Sequence, residues 1–118
     1  MIIRSYDLDT PSVYVIHSED VNIEDFKEVL WGIEEEGIPY KVEVKNDDAL
    51  NILSHEASLK SKLGVGIGIN EKSIALTTSK LDPNSPLITI KMNKDYSRLR
   101  NIGANAARLV KGIELKKI

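Results

Sequence analysis

Glu34, Glu35 and Glu36 stand side by side in Trp31-Gly-Ile-Glu-Glu-Glu-Gly-Ile-Pro39, in the last turn of a predicted helix. A helix C-terminus already carries partial negative charge, so each acid there costs roughly 0.3 kcal/mol or more. Adjacent like charges add to that cost. A cation would reverse it. Carboxylate oxygens suit Mg²⁺ or Ca²⁺, and a single carboxylate is a weak site, so a partner would have to supply the other ligands. Trp31 and Glu35 are four residues apart and share an outward face. An exposed indole beside an exposed carboxylate suits a binding hot spot. The plainer reading is a solvated acidic helix end with Trp31 half-buried.

A second candidate is Arg98-Leu-Arg-Asn-Ile-Gly-Ala-Asn-Ala-Ala-Arg-Leu-Val-Lys-Gly112. Asn101, Asn105 and Arg108 lie along one polar face of the helix it predicts. Asparagine is a poor mid-helix residue, so its use twice points to a polar contact. Gly103, Ala104, Ala106 and Ala107 keep the helix thin, which suits close packing against a sheet. A third candidate is Leu63-Gly-Val-Gly-Ile-Gly68. It is not a phosphate loop, because the glycine spacing is wrong and no helix opens after it. Read as a strand, it sets Leu63, Val65, Ile67 and Ile69 on one face. Gly64, Gly66 and Gly68 then face the other way, where a helix or a ligand can approach the backbone. His17 and His55 have no serine and carboxylate partners at a catalytic spacing and read as structural. No catalytic set is visible.

The elements that would position these residues follow from periodicity and punctuation. Residues 1–11 read as an extended lead-in closed by Pro11. Ser12 to His17 is rich in β-branched and aromatic residues and predicts a first strand. Phe26, Val29, Leu30 and Ile33 sit at i, i+3, i+4 and i+7 of a helix from about Ile23 to Glu36, which Gly37 and Pro39 stop. Tyr40 to Lys45 alternates as a second strand. Asn46-Asp47-Asp48 supplies caps for a second helix to about Ser61, with Leu50, Leu53 and Ala57 inward. Leu63 to Ile69 and Ser73 to Thr78 are strands joined by a turn so short that they must be antiparallel neighbours. Leu87 to Met92 is a fifth strand. A last helix spans about Tyr96 to Lys111, with Leu99, Ile102, Ala106, Leu109 and Val110 on one side. Two helical crossovers imply right-handed parallel connections for the first three strands. The expected fold is a three-layer α/β/α sandwich on a five-stranded mixed sheet, one domain over residues 12–118.

Composition sets the outer limits. The chain has 118 residues, 42% apolar and 29% charged, and no cysteine. That excludes a disulfide framework, a zinc-thiolate or iron–sulfur site and a cysteine nucleophile. The net charge of −2 does not suit a polyanion binder, and aromatics are too few for a base-stacking RNA module. No apolar run approaches a membrane span of ~20 residues, and no signal peptide is evident. The expectation is a cytoplasmic protein that binds neither nucleic acid nor membrane. Charge is segregated: residues 19–36 hold eight of the 18 acids and residues 91–118 eight of the 16 bases. This reads either as two solvated helix faces or as a charge code for a protein partner.

Three segments together resemble the small subunit of the reactivating factor for adenosylcobalamin-dependent glycerol and diol dehydratases: Leu30 to Pro39, Leu63 to Gly68, and Arg100 to Gly112. The resemblance runs from about Ser12 to Glu114. It implies strand order 2-1-3-4-5 with strand four antiparallel. It implies a large partner subunit, an ATPase resembling Hsp70-class chaperones, in an assembly of two large and two small subunits. It implies a client too, a dehydratase holding damaged cobalamin, whose medium subunit is a structural relative of the small subunit and takes its place on the large one. Steric conflict then opens the dehydratase and releases the cofactor. Glu35 matches the family's small-subunit ligand to a divalent metal, Mg²⁺ or Ca²⁺, at the interface with the large subunit. No nucleotide, catalytic or cobalamin-binding residue is assigned to this chain.

Trp31, Glu34, Glu36, Asn101, Asn105 and Arg108 complete the expected interface, from exposure and the motif match. The alternative is a medium-subunit-like component of a cobalamin-dependent dehydratase, with the glycine face of the third strand meeting a corrin. A flavodoxin-shaped nucleotide binder is disfavoured, because the first β-to-α junction, His17 to Asn22, is acidic and glycine-free and should repel phosphate. Whether the complex sits free in the cytosol or in a bacterial microcompartment is open at this level.

Overall fold

A computed structural model describes residues 10–118. Most of the expected extended segment, residues 1–9, lies outside the described residues. The elements run β1 (Val13–Ser18), α1 (Ile23–Glu35), β2 (Tyr40–Lys45), α2 (Leu50–Lys60), β3 (Val65–Ile69), β4 (Ser73–Thr78), β5 (Ile88–Lys91) and α3 (Tyr96–Lys111). They form one five-stranded sheet in the order β2-β1-β3-β4-β5. The β1 strand pairs in parallel with β2 and β3, while β4 is antiparallel to both β3 and β5. The expected fold class, strand order and antiparallel fourth strand are all present.

Alternation along each strand divides the core. Val13, Val15, Val65, Ile67 and Ile69 meet Phe26, Val29 and Ile33 of α1 and Leu99, Ile102 and Ala106 of α3. On the opposite face, Ile16 meets Leu53 and Ala57 of α2, with Tyr14 half-buried beside them. One face of the sheet therefore carries two helices and the other carries one.

Glycines set how close each layer comes. A Cβ on Gly66 would lie 2.2 Å from the Ser58 amide nitrogen, and one on Gly68 would lie 2.3 Å from that of Ser54. The bare face of β3 is thus filled by the backbone of α2, which leaves no room there for a ligand such as a corrin. Gly64 does not belong to that face, contrary to the alternation reading. It precedes the strand in the left-handed conformation (φ +73°). Its N–H bonds to the Ser61 carbonyl, and its own carbonyl accepts from Ser79 (both 2.9 Å).

The thin stretch of α3 also differs from expectation. A Cβ on Gly103 would lie 1.9 Å from the Val29 carbonyl oxygen, and one on Gly32 of α1 would lie 2.1 Å from the Arg100 carbonyl oxygen. The two glycines face each other's helices, so part of the small stripe serves contact between α1 and α3 as well as the sheet. The α2 helix starts later than its cap cluster suggested. Ala49 is the N-cap, and Asp47 Oδ1 instead accepts the Ala49 N–H in a turn (2.9 Å).

Candidate functional site

The acidic end of α1 lies against the basic helix α3. The close approach through Gly32 and Gly103 brings their polar rims into register. Two clusters result. In the first, Arg100 of α3 reaches between Glu28 and Glu35 of α1. Its Nη2 donates to Glu28 Oε2, and its Nη1 lies 3.0 Å from Glu35 Oε1. These partners raise the Arg100 pKa, the Glu28 hydrogen bond most of all. Trp31 sits one turn from both glutamates and is 42% exposed. The Arg100 guanidinium and the Lys27 ammonium flank its ring, 5.6 and 5.4 Å from the centroid. The indole thus lies exposed between two cations and two carboxylates, the residue types that binding hot spots favour.

In the second cluster, Glu36 is the shared acceptor. Lys111 Nζ donates to its Oε1 (2.7 Å) and to its carbonyl oxygen (2.9 Å). Arg108 donates to its Oε2 through Nε and Nη2, both at 3.3 Å. The hydrogen bond from Lys111, with help from Arg108, holds the Glu36 carboxyl below the ordinary value of 4.5 against the opposing effect of burial. The expected repulsion among three acids at a helix end is therefore offset within the chain, by cations 72 and 75 residues further on. The charge segregation seen in sequence is likewise neither two solvated faces nor wholly a code for a partner. Part of it is internal pairing, of Glu28, Glu35 and Glu36 with Arg100, Arg108 and Lys111.

The remaining expected site residues divide. Glu34 is exposed. Together with burial, the larger cause, its charge raises the Tyr40 phenol pKa. Asn101, Asn105 and Arg108 do share a face of α3, but Asn105 is fully buried rather than exposed. All three bond the chain's own C-terminal residues. Arg100, Glu28, Lys27 and Lys111 escaped the sequence reading. Arg100 and Lys111 lay inside a motif already singled out, but each finds its acidic partner on a different helix.

The site holds hard oxygen donors and fixed cations but no nucleophile with a paired base. Among the described residues, no three His, Asp or Glu side chains are grouped to enclose a metal ion. Glu35 fits a single ligand position: its side chain is 57% exposed, and among the described residues Arg100 is its ion-pair partner. Elsewhere, the carboxyl edge of β1 and β2 gathers Glu19, Asp20, Asn46, Asp47 and Asp48 around a groove. That sign of charge repels phosphate. His17 is buried beside Phe26, with Nδ1 2.8 Å from the Ser18 carbonyl oxygen. No described helix is long and apolar enough to cross a membrane.

Comparison with known proteins gives this geometry its relatives. Residues 10–116 match the family described as dehydratase medium subunit. The chain is 38% identical over 90 residues to the propanediol dehydratase-reactivating factor small subunit of Citrobacter freundii, covering 76% of this chain and 78% of that one. It is 32% identical over 114 residues to a probable glycerol dehydratase-reactivating factor small subunit of the same organism, covering 94% and 97%. Among solved structures it resembles a chain of diol dehydratase-reactivating factor complexed with ADP and Mg²⁺. That match has a TM-score of 0.86 and 33% identity and covers 92% of this chain and all of the other.

Proposed function

This chain belongs to the dehydratase medium-subunit family and, within it, to the small subunits of the diol and glycerol dehydratase reactivating factor, and from that premise we propose that it is the non-catalytic partner of a large ATPase subunit. In this reading the pair engages a dehydratase that holds damaged cobalamin. The small subunit gives up its place on the large subunit to the dehydratase medium subunit, and the dehydratase opens to release the cofactor. The observation that carries the reading is the exposed Trp31–Glu35–Arg100 surface, on a chain that is 38% and 32% identical to two reactivating-factor small subunits.

Glu35 would supply one oxygen ligand to a divalent cation shared with the large subunit, and Arg100 would be released from it. The cation would join two surfaces that each hold an incomplete ligand set. Glu34, Glu36 and Trp31 would border that contact. Glu36 is already neutralised by Lys111 and Arg108, whereas among the described residues Glu35 pairs with Arg100. Cytoplasmic residence, free or within a microcompartment, belongs to the same proposal.

Affinity-tagged chain, incubated with lysate in Mg²⁺ and ADP and then in ATP, should retain the large ATPase subunit and exchange dehydratase subunits with nucleotide. Glu35→Gln should keep the fold and weaken binding to the large subunit, with the difference vanishing in EDTA. Equal affinity of the two forms with and without divalent metal would remove the metal bridge.

The family description itself favours a second reading, a medium-subunit-like component of a dehydratase. Submicromolar binding of cobalamin by this chain alone would favour it, as would recovery of dehydratase large and small subunits with no ATPase. The packing of α2 on the β3 glycines removes the corrin surface on which that alternative had rested.

A further inference from the structure

Residues 113–118 double back along α3 rather than leaving it. Gly112 makes the reversal by closing the helix in the left-handed conformation (φ +69°), and the Ile113 N–H returns to the Arg108 carbonyl (3.2 Å). Beyond it the tail is held through its main chain. Arg108 Nη1 donates to the Glu114 carbonyl (2.9 Å). Asn105 takes both main-chain groups of Lys116: its Nδ2 donates to the carbonyl (2.9 Å) and its Oδ1 accepts the N–H (2.6 Å). Asn101 Nδ2 donates to the Lys117 carbonyl (3.3 Å). An amide paired with the N–H and C=O of one residue makes the bonds that a neighbouring strand would make.

The two sides of this contact are unequal. The receptor is part of α3, with Asn105 fully buried beneath the tail and asparagine used twice where helix propensity disfavours it. The occupant is lightly anchored. Ile113 and Ile118 are exposed and only Leu115 of the tail is half-buried. None of these bonds uses a tail side chain. If the tail left, the Asn105 amide beneath it would have to take both partners from water or from another main chain. Any extended main chain would restore them. The site therefore selects for main chain and not for a particular sequence. It is also continuous with the acidic face, because the Arg108 that holds Glu114 also holds Glu36.

We infer that residues 113–118 are a displaceable strap over an extended-peptide site on α3, and that a main-chain segment of the protein partner takes their place on docking. The inference rests on the partner reading above, and two measurements separate the fates of the two ideas. The first is amide hydrogen exchange by NMR on the full chain, free and bound to the large subunit. The free chain should protect the Lys116 N–H by about tenfold or more, the factor expected of one such bond. In the complex that protection should disappear while the Asn105 side-chain amide stays protected. Lys116 unprotected in the free chain, or protected equally in both states, would overturn the strap.

The second measurement is the affinity of Lys116→Pro, which removes a tail donor without touching the core. A displaceable strap competes with the partner, so weakening it should tighten binding, by up to about tenfold. A tail that is simply part of the binding face would give weaker or unchanged binding and overturn the proposal. No association of the unaltered chain with the large subunit under any nucleotide would overturn the partner reading and the displacement with it. Lys116 exchange in the free chain would then still decide whether the tail is held.

Discussion

The two faces of the sheet reach the same close packing by opposite means. On the α2 face the glycines are in the strand, and the helix presents small residues to them: Ala57, with Ser54 and Ser58 fully buried. On the other face the strands carry the bulk, and the glycines are in the helices, where Gly32 and Gly103 let α1 and α3 touch. The consequence for function differs. A helix seated on a glycine strand hides its partner's backbone, and the outer side of α2 keeps exposed Ile52 and Leu59 and isolated ion pairs to β2, Glu56 with Lys45 and Lys60 with Glu43. Two helices drawn together bring two charged rims into contact, and that contact makes the Glu28–Arg100–Glu35 and Glu36–Arg108–Lys111 clusters. These charged clusters are a by-product of helix–helix proximity, so the proposed recognition face lies on the α1–α3 side.

The sharpest way to break this comparison is to push each pair of layers apart. Gly66→Val and Gly103→Val both place atoms where backbone already lies, and each should lower stability by about 1–3 kcal/mol or more. Denaturant midpoints would measure that loss. Binding to the large subunit separates the two faces. At stabilising temperature Gly66→Val should retain partner affinity, while Gly103→Val should lose it along with the register of Arg100. Equal losses of affinity would mean that the face does not depend on the α1–α3 contact.

A smaller effect is expected in acid. The Glu36 carboxyl titrates below its ordinary value because Lys111 and Arg108 bond its ionised form. A carboxyl with a depressed folded-state pKa contributes stability that is fully present above its unfolded value and is lost as pH falls through the folded one. Stability should therefore decline below about pH 4.5, and Glu36→Gln should flatten that part of the profile. An identical pH profile for the variant would show that the second cluster does not couple the two helices. The smallest effect belongs to the outer side of α2. Ile52 and Leu59 are exposed there. Ile52→Gln should change stability by no more than about 0.5 kcal/mol and leave partner binding intact. A loss of binding would place a recognition surface on the α2 side as well.

How much of this was visible beforehand follows the same division. The α1 and α3 helices were readable because bulky residues recur at helical spacing toward a bulky strand face: Phe26, Val29, Leu30 and Ile33, then Leu99 and Ile102. The α2 helix was harder to place. Its buried side has one large residue, Leu53, among Ser54, Ala57 and Ser58, while Ile52 and Leu59 are exposed, which blurs the usual pattern. The small buried residues make sense beside Gly66 and Gly68. Glu35 and Trp31 were legible as an outward pair, because a four-residue spacing in a helix is a local fact. Asn105 was visible as an anomaly, but its burial and its hold on Lys116 were not.

Local chemistry in the sequence was enough to determine the order of elements, the antiparallel β3–β4 hairpin, the stops at Gly37 and Gly112, and the acidic and basic ends of the chain. These depend on periodicity, turn length and residue type within a few positions. Tertiary structure decided which charges neutralise each other, which glycines face which backbone, and that the tail returns to α3. Those pairings join residues up to 75 positions apart, and nothing in a local pattern encodes the distance between two helices once the sheet has set them side by side.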